Sequence, residues 1–392
     1  MSQRPISHSP DLARLIQDGF ELEVRGATLL VKNVPYVDPE CQVRRGTLVT
    51  SLELADDTTV APTDHTARFI GAMPSDEQGQ RLTRTVNTGG AGNMNGVAFD
   101  HTMSAKPLGG NRSYRDYHHK VTAYVARLER PVRELGSDAS ARTYGPAIDD
   151  GDQSPFCYVD TATQRAGLER YAERLAPMRL AIVGLGGTGS YILDLVAKCS
   201  VAEIHLYDGD RFIQHNAFRA PGSTPGRALR RGPNKAAHWA RVYGRMRHGI
   251  QPHPVMIDAT NVTELTTFDA VFVAIDNGPS RALILDALTQ ARSICIDVGL
   301  GINEVDERLT GKVRVSAGSP THAIDRSRVP TQAAGPENDY RNNIQIVELN
   351  AMNAVLAVLK WKKLIGIYAD HEREHFLAYS TFVNAMVNED CA

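Results

Sequence analysis

The sequence predicts an α/β protein whose larger part is a doubly wound, mainly parallel sheet, preceded by a smaller α+β domain. A short apolar run at 180–183 comes directly before a glycine-rich turn and a helical pattern from about residue 190 to 199. Two further apolar runs, 203–207 and 271–275, each end on an aspartate, and helical segments separate them. Strands that alternate with helices in this way are typical of parallel sheets with crossover helices.

Length and composition limit the class of protein. The chain has 392 residues, of which 42% are hydrophobic and 22% are charged, as in a globular protein of two or three domains. A formal charge of −2 gives no reason to expect nucleic acid or a membrane as partner. No apolar run reaches the roughly 18 residues of a membrane span, and the first residues lack a signal-peptide core. We therefore expect a cytoplasmic protein.

Residues 1–155 form the smaller domain in this interpretation. Strand-like runs are separated by Gly, Pro and Asp turns, and an amphipathic pattern at 114–135 predicts a helix that Pro131 kinks or ends. The predicted strands are 20–24, 28–34, 47–54 and 67–70. The glycine-rich stretch 89–96 is expected to be flexible or a loop, and 136–153 a linker. No catalytic arrangement stands out in this domain.

Residues 156–392 form the larger domain. Its predicted helices are 162–175, 226–247, 280–291 and 344–364, and further strands are predicted at 293–298, 311–316 and 376–380. The helix at 344–364 is apolar nearly all round, so we expect it to be buried in a core or a subunit interface. The polar segment 317–343 shows neither the periodicity of a helix nor that of a strand. A loop of this length in a compact domain is usually functional or disordered.

The turn after the first strand of the sheet has the pattern G-x-G-x-x-G, formed by Gly184, Gly186 and Gly189. In a Rossmann-like fold these glycines allow a tight turn, close approach of the backbone to a nucleotide, and close packing of helix on strand. Asp208 lies 19 residues beyond Gly189 (208 − 189), where such folds place a carboxylate on ribose hydroxyls. The pattern predicts a bound nucleotide without saying which one, since a dehydrogenase would look the same as far as Asp208.

From about Arg165 to Gly366 the chain resembles the ThiF/MoeB and ubiquitin-activating superfamily, whose members adenylate the C-terminal glycine of ubiquitin-like proteins. The residues that carry the resemblance are Gly184, Gly186, Gly187, Gly189, Asp208, Asp210, Asn216, Arg219, Lys235, Asp276, Asn277 and Arg281. The N-terminal region also resembles the uncharacterised domain that precedes some bacterial members encoded beside ubiquitin-like proteins and conjugating-enzyme homologues. A ubiquitin-like protein and a ubiquitin-conjugating-enzyme homologue are therefore the partners that the resemblance implies.

The resemblance implies ATP and Mg²⁺ as cofactors and gives each polar residue a role. Asp208 would accept the ribose hydroxyls, Arg219 and Lys235 would hold phosphate oxygens, and Asn216 would form hydrogen bonds nearby. Asp276, a hard carboxylate, suits Mg²⁺, which binds through one or two carboxylates together with phosphates. The four glycines, Asp210 and Asn277 complete the expected nucleotide site. These roles match the chemistry of adenylation, because the protein has to position a carboxylate and neutralise phosphate charge.

Family members also use an arginine ahead of the first strand, which reaches into the partner subunit's site. Arg165 resembles that residue, with Arg170 as the second choice. The resemblance therefore implies a homodimer, and the apolar helix at 344–364 provides a second reason to expect one.

The chain departs from the family in its cysteines. It has no C-x-x-C pair, so a structural zinc site is not expected. The 317–343 loop, where some members carry an acceptor cysteine, contains only hydroxyls as possible acceptors: Ser319, Thr321, Ser327 and Thr331. Thr331 is the favoured acceptor, with His322 as the base that a hydroxyl nucleophile needs. Direct transfer of the adenylate to a downstream carrier is the other option, and Cys199 and Cys295 are expected to be structural.

Three alternatives stay open. Adenylation of a sulfur-carrier protein or a peptide would use the same site. A nicotinamide-dependent oxidoreductase would use the same glycine turn, although Lys235 and Asp276 would then have no role. A scaffold that retains the fold without activity is the third alternative, and the intact set of phosphate-facing and metal-facing residues speaks against it.

Overall fold

The computed structural model describes residues 6, 8–87, 90–107, 113–146, 154–332 and 345–391. The chain divides into two compact units, residues 1–168 and residues 169–392.

The first unit contains a five-stranded antiparallel sheet with strand order β1-β2-β3-β6-β9. Its elements are α1 (Pro10–Gln17), β1 (Glu21–Val24), β2 (Thr28–Val37), β3 (Val43–Ser51), β4 (Leu54–Ala55), β5 (Thr58–Thr59), β6 (Thr66–Ile70), β7 (Gly92–Met94), β8 (Val97–Phe99), β9 (His101–Ser104), α2 (Tyr117–Glu134) and α3 (Thr161–Ala166). Leu12 of α1 and Val121 of α2 share a buried core with Val31 and Leu48 of the sheet. The predicted α+β architecture is thereby confirmed.

The glycine-rich stretch 89–96, predicted to be flexible or a loop, instead contributes a strand and the turn of a β-hairpin. Strand β7 pairs antiparallel with β8, and Asn95 and Gly96, both with positive φ, form the two-residue turn between them. An Asn-Gly pair favours this turn, because both positions of a type I′ turn require positive φ. Helix α2 also extends past Pro131 to Glu134; a proline in the last turn costs a single helical hydrogen bond.

The second unit is built on an eight-stranded sheet with strand order β12-β11-β10-β13-β14-β15-β16-β17. Its strands are β10 (Arg179–Val183), β11 (Glu203–Tyr207), β12 (Ile250–His253), β13 (Ala270–Val273), β14 (Ile294–Val305), β15 (Arg308–Gly318), β16 (Glu374–Ser380) and β17 (Ala385–Cys391). Strands β10 to β14 pair in parallel, and the last three are added antiparallel. The predicted doubly wound, mainly parallel sheet is confirmed.

The helices of the second unit are α4 (Glu169–Leu175), α5 (Gly187–Val196), α6 (Gln214–Ala217), α7 (Gly226–Arg231), α8 (Lys235–Tyr243), α9 (Gly278–Gln290) and α10 (Val347–Leu364). Two predicted helices are each broken at a glycine. The helix predicted at 162–175 is interrupted at Gly167 (φ +64°), and the one predicted at 226–247 at Gly232 (φ +52°). In the second case Asn234 caps a new helix, so Lys235 is the first residue of α8 instead of an interior residue of a longer helix.

Helix α10 is buried in the core of the second unit, as its apolar sequence predicts. Ala354, Ala357 and Trp361 have no exposed surface and belong to the same core as the strands of the sheet. Val347, Val355 and Leu359 lie on the exposed side of the helix. Within the described ranges, no helix combines the length and apolar character that crossing a bilayer requires.

Candidate active site

The carboxyl ends of three neighbouring strands bring the predicted site residues together. Val183 of β10 pairs with Tyr207 of β11 on one side and with Val273 of β13 on the other. The glycine turn, Asp208 and the segment leading to Asp276 therefore start side by side at one edge of the sheet. Ligands of open α/β sheets bind at this edge.

Close contacts require glycine at several positions of the turn. A Cβ on Gly184, whose φ is +88°, would stand 2.4 Å from the carbonyl oxygen of Ala274, and one on Gly189 would stand 1.9 Å from that of Gly184. Gly186 differs, because a Cβ there would enter open space. Gly184 and Gly189 are therefore needed for packing. Gly186 instead keeps the space above the turn clear, as close approach of a ligand requires.

Asp208 is buried, and its carboxylate is hydrogen-bonded to the glycine turn. Its carboxylate accepts hydrogen bonds from the backbone N–H of Leu185 at 2.7 Å and from that of Asp210 at 2.9 Å. Burial raises the pKa of Asp208, while Lys235 and these N–H groups oppose the shift. The contact with Leu185 fixes the distance between the turn and the carboxylate.

Lys235 lies between two carboxylates. Its Nζ is 2.7 Å from Asp210 Oδ2 and 3.6 Å from Asp208 Oδ2. Asn234, which the sequence analysis did not select, donates from its side chain to the carbonyl oxygens of Asp208 and Asp210. The signal that would have found Asn234 is its position as an N-cap directly before a lysine.

Arg219 carries an unmet hydrogen-bonding group. Among the described residues, its Nε is buried without a hydrogen-bond partner, although a buried donor is normally paired. Burial lowers the pKa of Arg219, and the negative charge of Asp276 opposes that shift. Asn216, three residues earlier, is buried and its side-chain oxygen accepts from the N–H of Ile213, so it holds the short helix α6 that leads to Arg219.

Asp276 and Asn277 lie in the exposed connection between β13 and α9. Asn277 caps α9, because its side-chain oxygen accepts from the N–H of Ser280 at 2.9 Å. Asp276 remains accessible to solvent. Its carboxylate is therefore placed to take a hard cation, the ligand chemistry that Mg²⁺ prefers.

The residues at this edge fit a nucleoside triphosphate with Mg²⁺. The unpaired Nε of Arg219 requires an acceptor, the space above Gly186 is open, and the Asp276 carboxylate is exposed. Phosphate oxygens would satisfy the first requirement and a divalent cation the last. The N-terminus of α5 adds N–H groups that favour an anion.

Arg281 is buried and connects the site to the loop that follows β15. Its Nε is 3.0 Å from Asp297 Oδ1, and its two terminal nitrogens donate to the carbonyl oxygens of Pro330 and Ile275. Ile275 directly precedes Asp276, and Pro330 directly precedes Thr331. One guanidinium therefore holds both segments.

The first part of the predicted 317–343 loop forms a return segment, residues 319–332, that runs back along α9. Near the middle of the helix, Arg326 contacts the carbonyl oxygen of Ala282 and the carboxylate of Asp286. At the start of the helix, a Cβ on Gly278 would stand 2.0 Å from the carbonyl oxygen of Gln332. The segment therefore brings Thr331 to the N-terminus of α9. The first residue of that helix, Gly278, follows Asp276 by two positions in the chain. Residues 333–343 of the loop lie outside the described residues.

His322 lies at the other end of α9, so the expectation that it serves as the base for Thr331 is wrong. It lines a cavity of about 380 Å³ together with Thr289 and Arg292, at the helix C-terminus. The rise of an α-helix separates Gly278 from Thr289 by roughly 16 Å. Ser319 and Thr321 line the same cavity, and the hydroxyl of Ser327 donates to Asp325.

The cysteines expected to be structural differ in detail. Cys295 is buried in β14, and burial raises the pKa of its thiol well above the ordinary value. Cys199 lies beyond the end of α5 and not within the helix as predicted, with its sulfur 3.6 Å from the carbonyl oxygen of Leu195. A buried thiol with a raised pKa is a poor nucleophile.

The two candidate arginines for action across a dimer belong to different units. Arg165 is exposed at the end of α3 in the first unit. Arg170 belongs to α4 of the second unit, where its guanidinium lies 4.6 Å from the centroid of the Tyr171 ring. The role of either residue in a partner subunit's site stays a prediction.

Comparison with family models divides the chain in two. A model of the ThiF family matches residues 160–389, which is more than half of the chain. A model described as a domain of unknown function, DUF6791, matches residues 10–161.

Curated relatives with significant similarity include ubiquitin-like modifier-activating enzyme 5 from several animals. The Gallus gallus protein is 33% identical over 107 residues, covering 24% of this chain and 26% of the relative. The Caenorhabditis elegans protein is 22% identical over 255 residues, covering 59% of this chain and 53% of the relative. The chain thus spans between about a quarter and a half of the length of these two relatives.

Solved structures that match part of this chain include E. coli MccB with ATP and the protein PaaA. MccB with ATP is 16% identical with a TM-score of 0.45, covering 59% of this chain and 70% of that chain. PaaA is 16% identical with a TM-score of 0.45, covering 57% of this chain and 75% of that chain.

Proposed function

The chain belongs to the ThiF family, as its motifs predict, and from this premise we propose that it is an ATP-dependent adenylating enzyme. Its substrate is the C-terminal carboxylate of a ubiquitin-like protein. The observation that carries the proposal is the pairing of opposite charges at one sheet edge. The buried Asp208 lies by the glycine turn with the Lys235 ammonium beside it. The Arg219 guanidinium lies near the exposed carboxylate of Asp276.

The proposed reaction joins the substrate to the nucleotide. A carboxylate oxygen of the substrate's C-terminus bonds to the α-phosphorus of ATP, and the bond from that phosphorus to the bridging oxygen of the β-phosphate breaks. Pyrophosphate leaves with the electron pair. Asp208 orients the ribose, and Lys235 and Arg219 stabilise charge on the phosphate oxygens as it moves toward the leaving group.

Asp276 is the residue that would hold Mg²⁺, which supplies charge neutralisation at the phosphates when bound. Lys235 contributes in a second way, because its contacts with Asp208 and Asp210 keep two like charges together. If a phosphate group drew the Lys235 ammonium away, the carboxylates of Asp208 and Asp210 would be able to accept hydrogen bonds from the ribose hydroxyls.

The acceptor after adenylation is proposed to be Thr331. Support comes from its position at the N-terminus of α9, whose N–H groups favour negative charge on an attacking oxygen. In this step the Thr331 oxygen bonds to the acyl carbon, the bond from that carbon to the phosphate oxygen breaks, AMP leaves and the hydroxyl proton passes to solvent. Direct transfer of the adenylate to a conjugating-enzyme homologue is the alternative. The curated relatives' name, ubiquitin-like modifier-activating enzyme, favours a ubiquitin-like protein over a sulfur carrier, a peptide or a nicotinamide substrate.

The test is ATP–pyrophosphate exchange driven by the C-terminal glycine of the cognate protein. Lys235→Ala and Asp276→Ala should each lower exchange by on the order of 100-fold or more, because each removes a preorganised charge. Lys198→Ala is the matched control, since Lys198 is a surface lysine paired with Asp194 within α5 and its C-terminal turn, and it should retain wild-type exchange. Wild-type exchange in either site variant would refute the site and the mechanism together.

A further inference from the structure

A buried polar pair, Asn350 and Thr188, lies next to the glycine turn. Asn350 of α10 is 1% exposed, and its Oδ1 accepts a hydrogen bond of 2.9 Å from the hydroxyl of Thr188. Its Nδ2 has no hydrogen-bond partner among the described residues. The pair therefore joins α10 to the first turn of α5 through a buried hydrogen bond.

Asn350 also occupies the space that a side chain on Gly187 would need. A Cβ on Gly187 would stand 2.2 Å from Asn350 Nδ2. Gly187 and Thr188 are the first two residues of α5, whose N–H groups are placed to meet an anion above the turn. Asn350 thus lies against the first turn of α5, whereas a Cβ on Gly186 would meet open space.

Stability does not explain the presence of Asn350. A buried amide nitrogen without an acceptor destabilises the folded state. Reversing the side-chain amide, an assignment that hydrogen bonding alone decides, would leave the oxygen unpaired instead. Asn350 and Thr188 together occupy positions that two apolar side chains of similar size would fill at no such cost.

We propose that Asn350 is a positioning residue for the nucleotide, acting through Thr188 and Gly187. It fixes the first turn of α5 so that its N–H groups keep the geometry that phosphate oxygens require. Gly187 brings the helix close enough to α10 for this contact, and the Thr188 hydroxyl sets its register. The inference rests on the proposed function, since it assumes that the turn binds ATP.

The test measures the affinity of the full chain for ATP with Mg²⁺ by calorimetric titration, beside the thermal midpoint of unfolding. Thr188→Val and Asn350→Leu should each weaken ATP binding about tenfold, the change that corresponds to one net hydrogen bond. Thr188→Ser retains the hydroxyl and should restore wild-type affinity. Asn353→Leu is the matched control, because Asn353 lies one turn further along α10 and donates to the carbonyl oxygen of Gly299.

The double variant Thr188→Val with Asn350→Leu separates positioning from stability. Replacing both partners by apolar groups is close to neutral for folding, so the thermal midpoint should return toward the wild-type value. The loss of affinity for ATP should persist, because the hydrogen bond that fixes the first turn of α5 is still absent. If affinity recovers together with the midpoint, or if Asn353→Leu weakens binding as much as Asn350→Leu, the positioning role is overturned. A wild-type chain that binds no ATP would overturn the proposed function as well, whereas normal binding in Asn350→Leu would overturn only this inference.

Discussion

The two ends of the parallel sheet differ in how their polar groups are paired. At the carboxyl edge, the Arg219 Nε is buried and has no hydrogen-bond partner in the part of the chain that the structure describes. At the amino edge, His322 contacts Asp390 at 3.0 Å and stacks on His375, whose Nδ1 donates to the carbonyl oxygen of Ala317. The amino edge also has the described cavity of about 380 Å³.

The difference shows that a cavity alone does not mark the chemistry. The amino-edge polar groups just named have partners within the fold, which stabilises the protein without creating a demand for a ligand. Among the described residues, the carboxyl edge retains a buried donor without a hydrogen-bond partner, the Arg219 Nε, at some cost in stability. Sites that bind or react often carry such costs, so the presence of a cavity does not by itself identify the reactive edge.

The largest expected effect concerns Thr331 at the carboxyl edge. When the enzyme is trapped with its ubiquitin-like partner and ATP, Thr331→Ala should abolish a covalent adduct that survives thiol reductant and breaks in mild base. The reason is that an oxyester requires this hydroxyl. Electrophoresis before and after each treatment measures the adduct.

Thr321→Ala provides the control, since Thr321 belongs to the same return segment but lines the amino-edge cavity. It should leave the adduct intact. An adduct that dissolves in reductant would identify a cysteine as the acceptor. An adduct equally strong in Thr331→Ala would remove the acceptor role from the carboxyl edge.

The next prediction concerns Arg219, whose replacement should lower activity and raise stability. Arg219→Met should lower ATP–pyrophosphate exchange about 100-fold, because a phosphate partner is lost. The same substitution should raise the free energy of unfolding by about 1 kcal/mol, since it removes a buried, unpaired donor. Denaturant unfolding without nucleotide measures the second quantity. A variant that loses stability would show that Arg219 is already paired in the folded protein.

The smallest effect lies at the amino edge and depends on pH. Burial lowers the pKa of His375 from its ordinary value, so near and below pH 6.5 the unfolded chain binds more protons than the folded chain. Folding stability should therefore decrease as pH falls through this range. His375→Gln should reduce this slope and leave exchange at neutral pH unchanged.

The control for this effect is His371→Gln, which alters an exposed histidine and should retain the wild-type slope. Loss of exchange in His375→Gln at neutral pH would contradict the separation of the two edges.

Local patterns in the sequence were sufficient to predict the carboxyl edge. The apolar strands, the glycines and Asp208 each follow from short-range chemistry, and the structure brings them together through strand register. Other features depend on contacts between distant parts of the chain. Strand β17 carries exposed side chains and is specified by pairing with β16, so its residues show no alternation. Strand β12 contains Pro252 and lies at the sheet edge, where proline is tolerated.

In the site, too, some residues could be predicted from local sequence and others depend on contacts between distant parts of the chain. A role for Asn350 cannot be inferred from its neighbours in sequence, because its partner Thr188 is 162 residues away. The wrong assignment of His322 has a similar cause. Nine residues separate it from Thr331 along the chain, and only the direction of the return segment beside α9 shows that they lie at opposite ends of a helix.

The guanidinium of Arg281 links the return segment to the peptide that precedes Asp276. Because it grips the carbonyl oxygens before Asp276 and before Thr331, a protein that displaces the return segment must also disturb the peptide that leads to the Asp276 carboxylate. Thermodynamic reciprocity then applies. If a docking partner changes the nucleotide affinity by moving that segment, bound nucleotide changes the partner's affinity by the same factor.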